Sequence, residues 1–407
     1  MIPEAKRTMA IQHKHPRTPD VLILAPQPFY QERGTPIAVR LLTEELAKAG
    51  YEVDLLTYHE GQPFEHERVT LHRIPALPGL GGVKPGFSLK KIVCDVLMLI
   101  KSIKLLRKNR YRILHAVEES VFIALLLYAF FQVPFIYDMD SLLSRQLTDM
   151  FPWLARCSGF LQWFEKMGMR KSKGIIVVCE ELQKQVQKDA PAVSVQLLED
   201  ISLLNGEEDQ ASVDDIRQDC RITGCMLMYV GNLEKYQGID LLLNAFALLP
   251  HGQGQECSLI LIGGREQDII KYRKKAGSLG INERVCFLGP KPVRLLGSYL
   301  RQADILVSPR TQGNNTPMKL YSYLASGKAV IATEIPSHTQ VLDNDIAMLC
   351  RPEPAALMAA ILTLANDRHL QTQLGQAAIC RAEERYSRQA YRKKLQQFYL
   401  KALGPPA

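Results

Sequence analysis

The chain has 407 residues, of which 47% are hydrophobic and 23% charged, and its formal net charge is +8. This length is too great for one ordinary hydrophobic core, so we expect two domains. Although the charge is positive, no basic stripe with interleaved aromatic residues follows the predicted strands and loops, which argues against a nucleic-acid partner. None of the nine cysteines has metal-ligand spacing, and we expect them to be buried apolar residues of a cytoplasmic protein.

The first half of the chain alternates strands with helices. Residues 1–19 are polar and basic without an apolar run, which predicts a disordered tail rather than a signal peptide. Apolar, β-branched segments predict strands at 21–25, 53–57, 113–117, 135–138 and 174–178. A helix is predicted over 37–49, and Gly50 ends it. This alternation indicates a parallel sheet covered on both faces, which we assign to a first domain over 20–200.

A basic amphipathic helix is predicted between Ser88 and Arg112. Its apolar residues, which recur at helical spacing, are Leu89, Ile92, Val93, Val96, Ile100 and Ile103. Its basic residues include four predicted membrane contacts, Lys101, Lys104, Arg107 and Lys108. Such a helix favours adhesion to anionic lipid headgroups. The alternative is an ordinary core stripe with a solvated basic face.

The apolar stretch Val121–Tyr137 is the one segment that resembles a membrane span. It is shorter than the roughly 20 residues that a spanning helix needs, and Gln132 and Pro134 interrupt it. We therefore predict a buried helix that ends near Phe131.

The second half repeats the alternation after a polar, acidic linker predicted at 201–219. Strands are predicted at 226–230, 258–263, 285–289, 305–308 and 329–332. They indicate a second doubly wound domain over 220–384. Two such domains facing each other create a cleft at the carboxyl ends of the strands, where ligands bind.

Residues 303–333 carry the strongest functional pattern of the chain. They predict a buried strand, a polar loop, a short helix and a second buried strand. Thr316 is a suitable N-cap, Pro317 falls at the first helical position, and Gly327 stands where the helix should end. The free N–H groups of this helix start, flanked by Arg310 and Lys319, suit a phosphate or diphosphate. The alternative is a well-capped strand-helix-strand unit that binds nothing.

The segment from Lys319 to Thr333 resembles the donor-site motif of the retaining glycosyltransferases of family 4. The resemblance extends over nearly the whole chain, because Tyr229–Leu243 matches a family strand-loop-helix unit and the Gly34 loop matches the opening unit. It implies the GT-B fold, which is α/β with two doubly wound, Rossmann-like parallel-sheet domains facing a cleft. It also implies a final helix, within 385–407, that returns to the first domain.

The sequence departs from the family pattern at its charged positions. The paired glutamates of the family motif fall on Asn314 and Ser322, and both carboxylates are missing. The arginine and lysine of the family's glycine-rich loop fall on Asn232 and Gln237. The loss of two carboxylates and two cations is balanced in charge, which favours a divergent enzyme over an inactive one.

The resemblance implies donor-site residues on both sides of the cleft. The predicted donor contacts are Gly34, Thr35, Gly231, Asn232, Lys235, Arg310, Asn314, Asn315, Thr316, Lys319 and Ser322. Lys235 and Arg310 would replace the missing cations. Ser322 would hydrogen-bond the ribose, and Asn314 would contact the donor sugar. Because a GT-B enzyme neutralises the diphosphate with side chains and N–H groups, no metal or other cofactor is expected.

The candidate catalytic residues are Glu118 and Asp138, which follow two predicted strands. Relatives often have a histidine near the acceptor and donor sugar; that position is Val117 here, and His115 lies two residues earlier. Asp138 and Asp140 also form an Asp-x-Asp pattern that binds metal in the other glycosyltransferase fold. The two-domain pattern argues against such a metal site.

These features together predict a retaining glycosyltransferase. It would move a hexosyl group from a nucleotide-diphosphate sugar to a cell-envelope polysaccharide or lipid-linked acceptor. It would work in the cytoplasm, peripherally on the inner face of the plasma membrane. Two alternatives stay open: an inactive relative that binds nucleotide-sugar as a scaffold, and a sugar-nucleotide epimerase, whose catalytic carboxylates are not evident in this sequence.

Overall fold

The computed structural model describes most of the chain in ranges separated by short gaps. These ranges are 18–31, 34–83, 88–150, 158–204, 215–250, 256–313 and 315–405. All but the last two residues of the predicted tail at 1–19 lie outside them. Asn314 and the middle of the predicted linker are outside them as well.

A seven-stranded parallel sheet forms the first domain. Its strands are β1 (Val21–Ala25), β2 (Val53–Thr57), β3 (Val69–Arg73), β4 (Ile113–Val117), β5 (Phe135–Met139), β6 (Gly174–Val177) and β7 (Val195–Leu197). They lie in the order β3-β2-β1-β4-β5-β6-β7. Its helices are α1 (Gly34–Lys48), α2 (Leu89–Lys108), α3 (Ser120–Phe131), α4 (Leu143–Met150), α5 (Ser158–Lys171) and α6 (Glu180–Asp189). The order reverses between β1 and β4, where ligands bind in doubly wound sheets.

A six-stranded parallel sheet forms the second domain. Its strands are β8 (Cys225–Val230), β9 (Cys257–Ile262), β10 (Val285–Gly289), β11 (Ile305–Ser308), β12 (Ala329–Thr333) and β13 (Met348–Cys350). They lie in the order β10-β9-β8-β11-β12-β13, so the reversal falls between β8 and β11. The helices are α7 (Ile216–Asp219), α8 (Ile239–Ala247), α9 (Glu266–Ser278), α10 (Leu296–Gln302), α11 (Lys319–Ala325), α12 (Pro336–Thr339), α13 (Pro354–Asn366) and α14 (Arg368–Arg385).

Both sheets are covered on their two faces, which confirms the predicted pair of doubly wound α/β domains. Four clusters of buried apolar side chains, two per sheet, form the core. Strands β3, β7 and β13 were not predicted. They are edge strands that carry polar or half-buried residues, so they lack the continuous apolar run of a central strand.

The last helix, α15 (Arg388–Leu403), packs against the first domain. Arg388 Nε and Arg392 Nε each lie 2.5 Å from a carboxylate oxygen of Glu45 on α1. The Glu45 side chain is fully buried, whereas the two arginines are partly exposed. Burial alone would raise the pKa of Glu45, but hydrogen bonds from Arg392 and Arg388 outweigh it and lower this pKa.

Replacing Glu45 with glutamine should destabilise the protein by about 2–3 kcal/mol at pH 7, because two arginines lose a buried charged acceptor. The pKa of Glu45 is lower in the folded protein than in the unfolded chain. The stabilisation is therefore fully present at a pH above the pKa of the unfolded chain, and it is lost as the pH falls through the pKa of the folded protein. Urea unfolding at pH 7 and in acid should show the difference from wild type shrinking in acid. Lys48→Gln, which removes a half-exposed partner 3.4 Å from Glu45, should cost less than about 1 kcal/mol. A constant difference across this pH range would contradict the assignment.

The alternative interpretation of α2, an ordinary core stripe with a solvated basic face, is wrong for most of the stripe. The buried residues of this helix are Cys94, Met98, Ser102 and Leu105. The apolar stripe that the spacing indicated is exposed instead. The exposed fractions of its side chains are 41–79% at Leu89, Ile92, Val93, Val96 and Ile100. Apolar residues follow two sides of this helix, and the first sheet covers only one of them. An apolar surface with adjacent basic residues therefore faces outward.

The apolar stretch after β4 forms α3, which ends at Phe131 as predicted. Val121, Ala124 and Leu127 bury one side of α3 against the first sheet. In the described part of the chain, no helix combines the length and the apolar character needed to cross a membrane.

The cysteine prediction is correct for five residues and wrong for three others. Cys94, Cys179, Cys225, Cys257 and Cys350 are buried thiols. Cys220 and Cys286 instead form a disulfide between the end of α7 and β10, and Cys380 is exposed on α14. The partners are 66 residues apart in sequence, so spacing does not reveal that folding brings their Cα atoms to 6.4 Å. Cys157 lies outside the described residues.

Candidate functional site

Lys319, the first residue of α11, is a cation held by neutral partners. Its Nζ lies 3.0 Å from Gln237 Oε1 and 4.0 Å from the centre of the Tyr229 ring. Gly231, after β8, has a φ of 149°, and a Cβ there would lie 3.4 Å from Lys319 Nζ. Burial, with Arg310 nearby, lowers the pKa of Lys319 well below its usual range. A side chain at position 231 would therefore contact the ammonium group of Lys319.

Arg310, two residues beyond β11, is the second cation. It donates to the carbonyl oxygens of Gln312 and Asn315 at 2.7 and 2.9 Å, and it lies 5.1 Å from the centre of the Tyr236 ring. Burial lowers its pKa. Within the described residues, neither Arg310 nor Lys319 has a carboxylate at ion-pair distance. Two desolvated cations without a counter-ion form a place where a bound anion is stabilised.

The start of α11 differs from its prediction. The helix begins at Lys319 after a turn in which Leu320 N–H donates to Pro317 O at 3.0 Å. Thr316 lies three residues before this start, its hydroxyl oxygen is buried, and it does not cap the helix. The helix has only seven residues, so the two side-chain cations, rather than the helix terminus, supply most of the positive charge.

The loop after β8 presents the other predicted donor contacts of this domain. Asn232 and Lys235 are exposed. Tyr229 Oη donates to Asn232 O at 2.5 Å, which fixes the loop above the Lys319 ammonium group. Lys235 begins a short 3-10 turn and has no described ion-pair partner. The structure thus brings Gly231 beside Lys319 and leaves Lys235 on the outer surface.

Ser322 is not available to a ligand in this conformation, which corrects its predicted contact with the ribose. Its side chain is fully buried, and Leu203 N–H donates to its Oγ at 2.9 Å. Leu203 belongs to residues 201–204, which lead out of the first domain. A cavity of about 850 Å³ lies along residues 201–204, and its lining includes Leu203, Arg294 and Met318.

Asn315 connects the two domains across the cleft. Its Nδ2 donates to the backbone oxygen of Asp140, directly after β5. Asn314, the predicted sugar contact beside it, lies outside the described residues. The Arg310–Lys319 loop therefore reaches the carboxyl edge of the first sheet, where the predicted catalytic residues are.

Acidic side chains gather at that edge of the first sheet. Thr35, near the start of α1 and after Gly34, hydrogen-bonds the Asp140 carboxylate. Burial, with Asp138 and Asp200 nearby, raises the pKa of Asp140 well above its usual range. Burial and Asp138 also raise the pKa of Asp200 to about 7. The first domain thus offers carboxyl groups opposite the cations of the second domain.

Asp138 is held by a chain of buried hydrogen bonds that begins on α15. His115 in β4 is fully buried; its Nδ1 lies 2.7 Å from Tyr399 Oη and its Nε2 lies 3.0 Å from Asp138 Oδ2. A carboxylate beside a histidine ring held from the other side resembles the orienting pairs of acid-base sites. Neither His115 nor Tyr399 was predicted to act this way. The only sequence signal was that His115 lies in a strand next to the strand of Asp138.

Glu118 lines a cavity of about 570 Å³ in the first domain. Its φ of 51° is unusual for a residue other than glycine, and its carboxylate accepts from Ser141 Oγ at 3.1 Å. Burial, with Asp140 and Glu119 nearby, raises the pKa of Glu118 well above its usual range. Gly34 and Thr35 line the same cavity. The two predicted catalytic residues therefore lie at one sheet edge, with Glu118 in the cavity.

Two family models together match most of the chain. The model described as Glycosyltransferase Family 4 matches residues 33–195, and the model described as Glycosyl transferases group 1 matches residues 216–381. The matches correspond to the two domains. A D-inositol 3-phosphate glycosyltransferase from Corynebacterium aurimucosum is 27% identical over 185 residues. That match spans 44% of this chain and 44% of the relative, which is less than half of either.

Solved structures resemble the whole chain in fold. Sucrose-phosphate synthase from Thermosynechococcus elongatus has a TM-score of 0.75 and 21% identity, over 95% of this chain and 99% of its own. HepE from Anabaena, in complex with UDP-glucose, has a TM-score of 0.68 and 15% identity, over 94% and 99% of the two chains. At such identities the likeness concerns the fold alone.

Proposed function

This chain belongs to glycosyltransferase family 4 and has the GT-B fold, and we propose that it transfers a sugar from a nucleoside-diphosphate donor to a glycan or lipid-linked acceptor. We also propose that the anomeric configuration is retained, as in the retaining enzymes that the sequence resembles. Its place would be the cytoplasm, at the inner face of the plasma membrane, in the synthesis of cell-envelope polysaccharide.

The observation that carries this proposal is the pair of basic residues Arg310 and Lys319, which have no counter-ion within the described part of the chain. They lie after β11 and beside the loop after β8, where the strand order of the second sheet reverses. When a glycosidic bond to a diphosphate breaks, negative charge accumulates on the leaving oxygen. Fixed cations stabilise that charge without having to reorganise. They would supply the neutralisation that a metal supplies elsewhere, so we propose that the reaction needs no cofactor.

The first domain supplies acid-base groups in this proposal. Asp138, oriented by His115, would accept a hydrogen bond from the attacking hydroxyl of the acceptor. Glu118 faces the cavity that would hold that acceptor. Proton transfer to the departing diphosphate on the same face of the sugar would let the donor's own leaving group serve as the base.

A catalytically inactive donor-binding scaffold is the second candidate. It is favoured by the buried hydrogen bond between Leu203 and Ser322, which closes a predicted ribose contact. Slow hydrolysis of a sugar nucleotide without acceptor, lost in Arg310→Ala, would support the enzyme. Donor binding without any turnover would support the scaffold.

A thermal-shift panel of UDP-, GDP- and ADP-sugars tests donor binding directly. A ligand at 100 times its Kd stabilises a protein by about 2.7 kcal/mol, which is readily seen as a raised Tm. We expect one base to stabilise the protein and Arg310→Ala to abolish the shift. If no sugar nucleotide raises the Tm, the proposal loses its basis.

The outward face of α2 supports the proposal of membrane association. Its exposed apolar stripe, Leu89 to Ile100, is followed along the helix by exposed Lys104, Arg107 and Lys108 and by half-buried Lys101. The helix α3 packs against both α2 and α5. These neighbours add the exposed side chains of Phe130, Phe160 and Trp163. Apolar and aromatic residues flanked by basic ones are the pattern of a surface that lies in a lipid interface.

Changing Lys101, Lys104, Arg107 and Lys108 to glutamine should release the protein from anionic vesicles. Each basic residue near such a surface contributes about 1 kcal/mol, so binding should weaken at least tenfold. Sedimentation with phosphatidylserine-containing vesicles measures this. Four exposed lysines on other helices, Lys184, Lys188, Lys271 and Lys274, provide a matched control whose change to glutamine should have little effect. Unchanged sedimentation of the first variant would contradict the assignment.

A further inference from the structure

We infer that the 570 Å³ cavity of the first domain binds the acceptor, and that the reacting unit of this acceptor is a phosphate-free sugar that donates hydrogen bonds. This inference rests on the proposed glycosyl transfer and adds the chemical class of the acceptor to it. The cavity volume falls within the range of ordinary small-molecule sites.

The position of the cavity connects it to the proposed chemistry. It lies at the carboxyl edge of the first sheet, where Gly34 and Thr35 begin α1 and where Glu118 follows β4. Thr35 also hydrogen-bonds Asp140, whose backbone oxygen accepts from Asn315 of the second domain. A molecule in the cavity therefore contacts a candidate catalytic residue beside the point where the donor domain touches the acceptor domain.

The charge of the cavity argues against a phosphorylated acceptor. Among its described lining residues, Asp95, Glu118 and Glu119 are acidic and only Lys91 is basic. Lys91 already forms an ion pair with Glu119. In the described part of this cavity a phosphate dianion would have no free cation beside it, and a partly desolvated anion without a counter-ion is costly. The cavity is therefore opposite in character to the Arg310–Lys319 pair across the cleft.

The polar groups of the cavity match the hydroxyls of a sugar. Asp95 accepts from Tyr58 Oη at 2.6 Å and keeps a second carboxyl oxygen. Glu118 accepts from Ser141 Oγ, which lies 3.4 and 3.1 Å from its two carboxyl oxygens. Gln27 Nε2 is buried and, within the described chain, has no hydrogen-bond partner. Carboxyl oxygens accept from hydroxyl or amine groups, and the free amide N–H would donate to a sugar oxygen.

The remaining wall is apolar and continues onto the protein surface. It includes Pro28, Phe122, Ile123 and Leu147. Ile92 lines the cavity and also belongs to the exposed apolar stripe of α2. The continuity fits an acceptor whose sugar enters the cavity while its apolar aglycone follows α2.

Octyl β-glycosides provide probes with this build. Titration calorimetry on the full chain would compare the octyl glycosides of glucose, galactose, mannose and glucosamine with octyl glucoside 6-phosphate. We expect at least one unphosphorylated glycoside to bind at least tenfold more tightly than the phosphorylated one. Equal or tighter binding of the phosphate, or no binding by any glycoside, would overturn the inference. UDP titrated separately into the same protein shows whether the proposed donor site itself is intact.

Variants test whether the acidic lining causes this preference. The double change Asp95→Asn and Glu119→Gln removes two acids and frees Lys91, so the preference against phosphate should fall at least tenfold. Asp345→Asn, at an exposed acid of the second domain, is the matched control and should leave the preference unchanged. A folded double variant with unchanged preference would overturn the role of these carboxyl groups. UDP binding should persist in all variants.

Discussion

Changing Lys319 to methionine is expected to lower kcat/KM for the donor about 10²–10³-fold. Methionine preserves the length and packing of the side chain but removes the ammonium group beside Gly231 and Gln237. Loss of one fixed group that stabilises developing charge costs about this much in other enzymes. Initial rates at varied donor concentration measure the change. The cation would contact the diphosphate in the bound donor and again as it leaves in the transition state. Its loss should therefore raise KM and lower kcat.

Lys271→Met is the matched control for this prediction. Lys271 Nζ also lies over a tyrosine ring, at 4.7 Å from the centre of Tyr272, but on the exposed surface of α9. Its change should leave donor kinetics within about twofold of wild type. Equal losses in the two variants would mean that the lysine-tyrosine contact, and not an anion site, explains the effect.

At a pH above the lowered pKa of Lys319 in the free protein, donor binding should be linked to proton uptake by this amino group. Burial lowers the pKa of the free protein's Lys319, and a bound diphosphate would raise it again. The affinity for UDP should therefore fall as the pH rises from the pKa of Lys319 in the free protein towards its pKa in the complex. Calorimetry in buffers of different ionisation enthalpy should detect the proton taken up, and Lys319→Met should abolish it. Binding without a proton change in wild type would mean that Lys319 keeps one charge state throughout.

Changing Asp138 to asparagine is expected to lower kcat about 10²-fold, because the attacking hydroxyl loses the carboxylate that accepts its hydrogen bond. Changing Tyr399 to phenylalanine should lower kcat about tenfold without raising KM for the donor, because only the orientation of His115 is lost. Steady-state kinetics of both variants separate these effects.

Tyr51→Phe is the control for a purely structural effect. Tyr51 Oη donates to Gly404 O at 3.0 Å, so it also ties the end of α15 to the first domain, but it has no hydrogen bond to His115. The two phenylalanine variants should lose similar stability. If Tyr51→Phe slowed turnover as much as Tyr399→Phe, the hydrogen bond to His115 would have no special role.

The sequence predicted those elements of the fold in which all side chains have the same environment. Central strands such as Ile113–Val117 are buried on both faces, and their apolar runs predicted them within a residue. The α2 helix has apolar residues on two sides, so spacing could not say which side the sheet covers. Three of the four edge strands, β3, β7 and β13, were missed because they lack a continuous apolar run.

The site was predictable where its charged residues lie close together in the sequence. Arg310 and Lys319 were found from their place around one loop, and neither has a carboxylate partner among the residues that the structure describes. The hydrogen bonds of Tyr399 with His115 and of Leu203 with Ser322 join residues that are 284 and 119 positions apart. No local pattern records such pairs. Ser322 shows the same limit, because its hydroxyl is occupied by the N–H of Leu203, a distant residue that the local motif does not include.

The return of α15 to the first domain has a mechanical consequence. The chain passes between the domains twice, once within residues 201–204 and once between α14 and α15. These two connections, or tethers, restrict the motion of one domain against the other largely to a hinge rotation about the line that joins the tethers. Such a rotation would open and close the Asn315–Asp140 contact. A protease cut in the first tether would leave α15 anchored by Arg388 and Tyr399. The cleaved protein should then migrate as one particle until it is denatured.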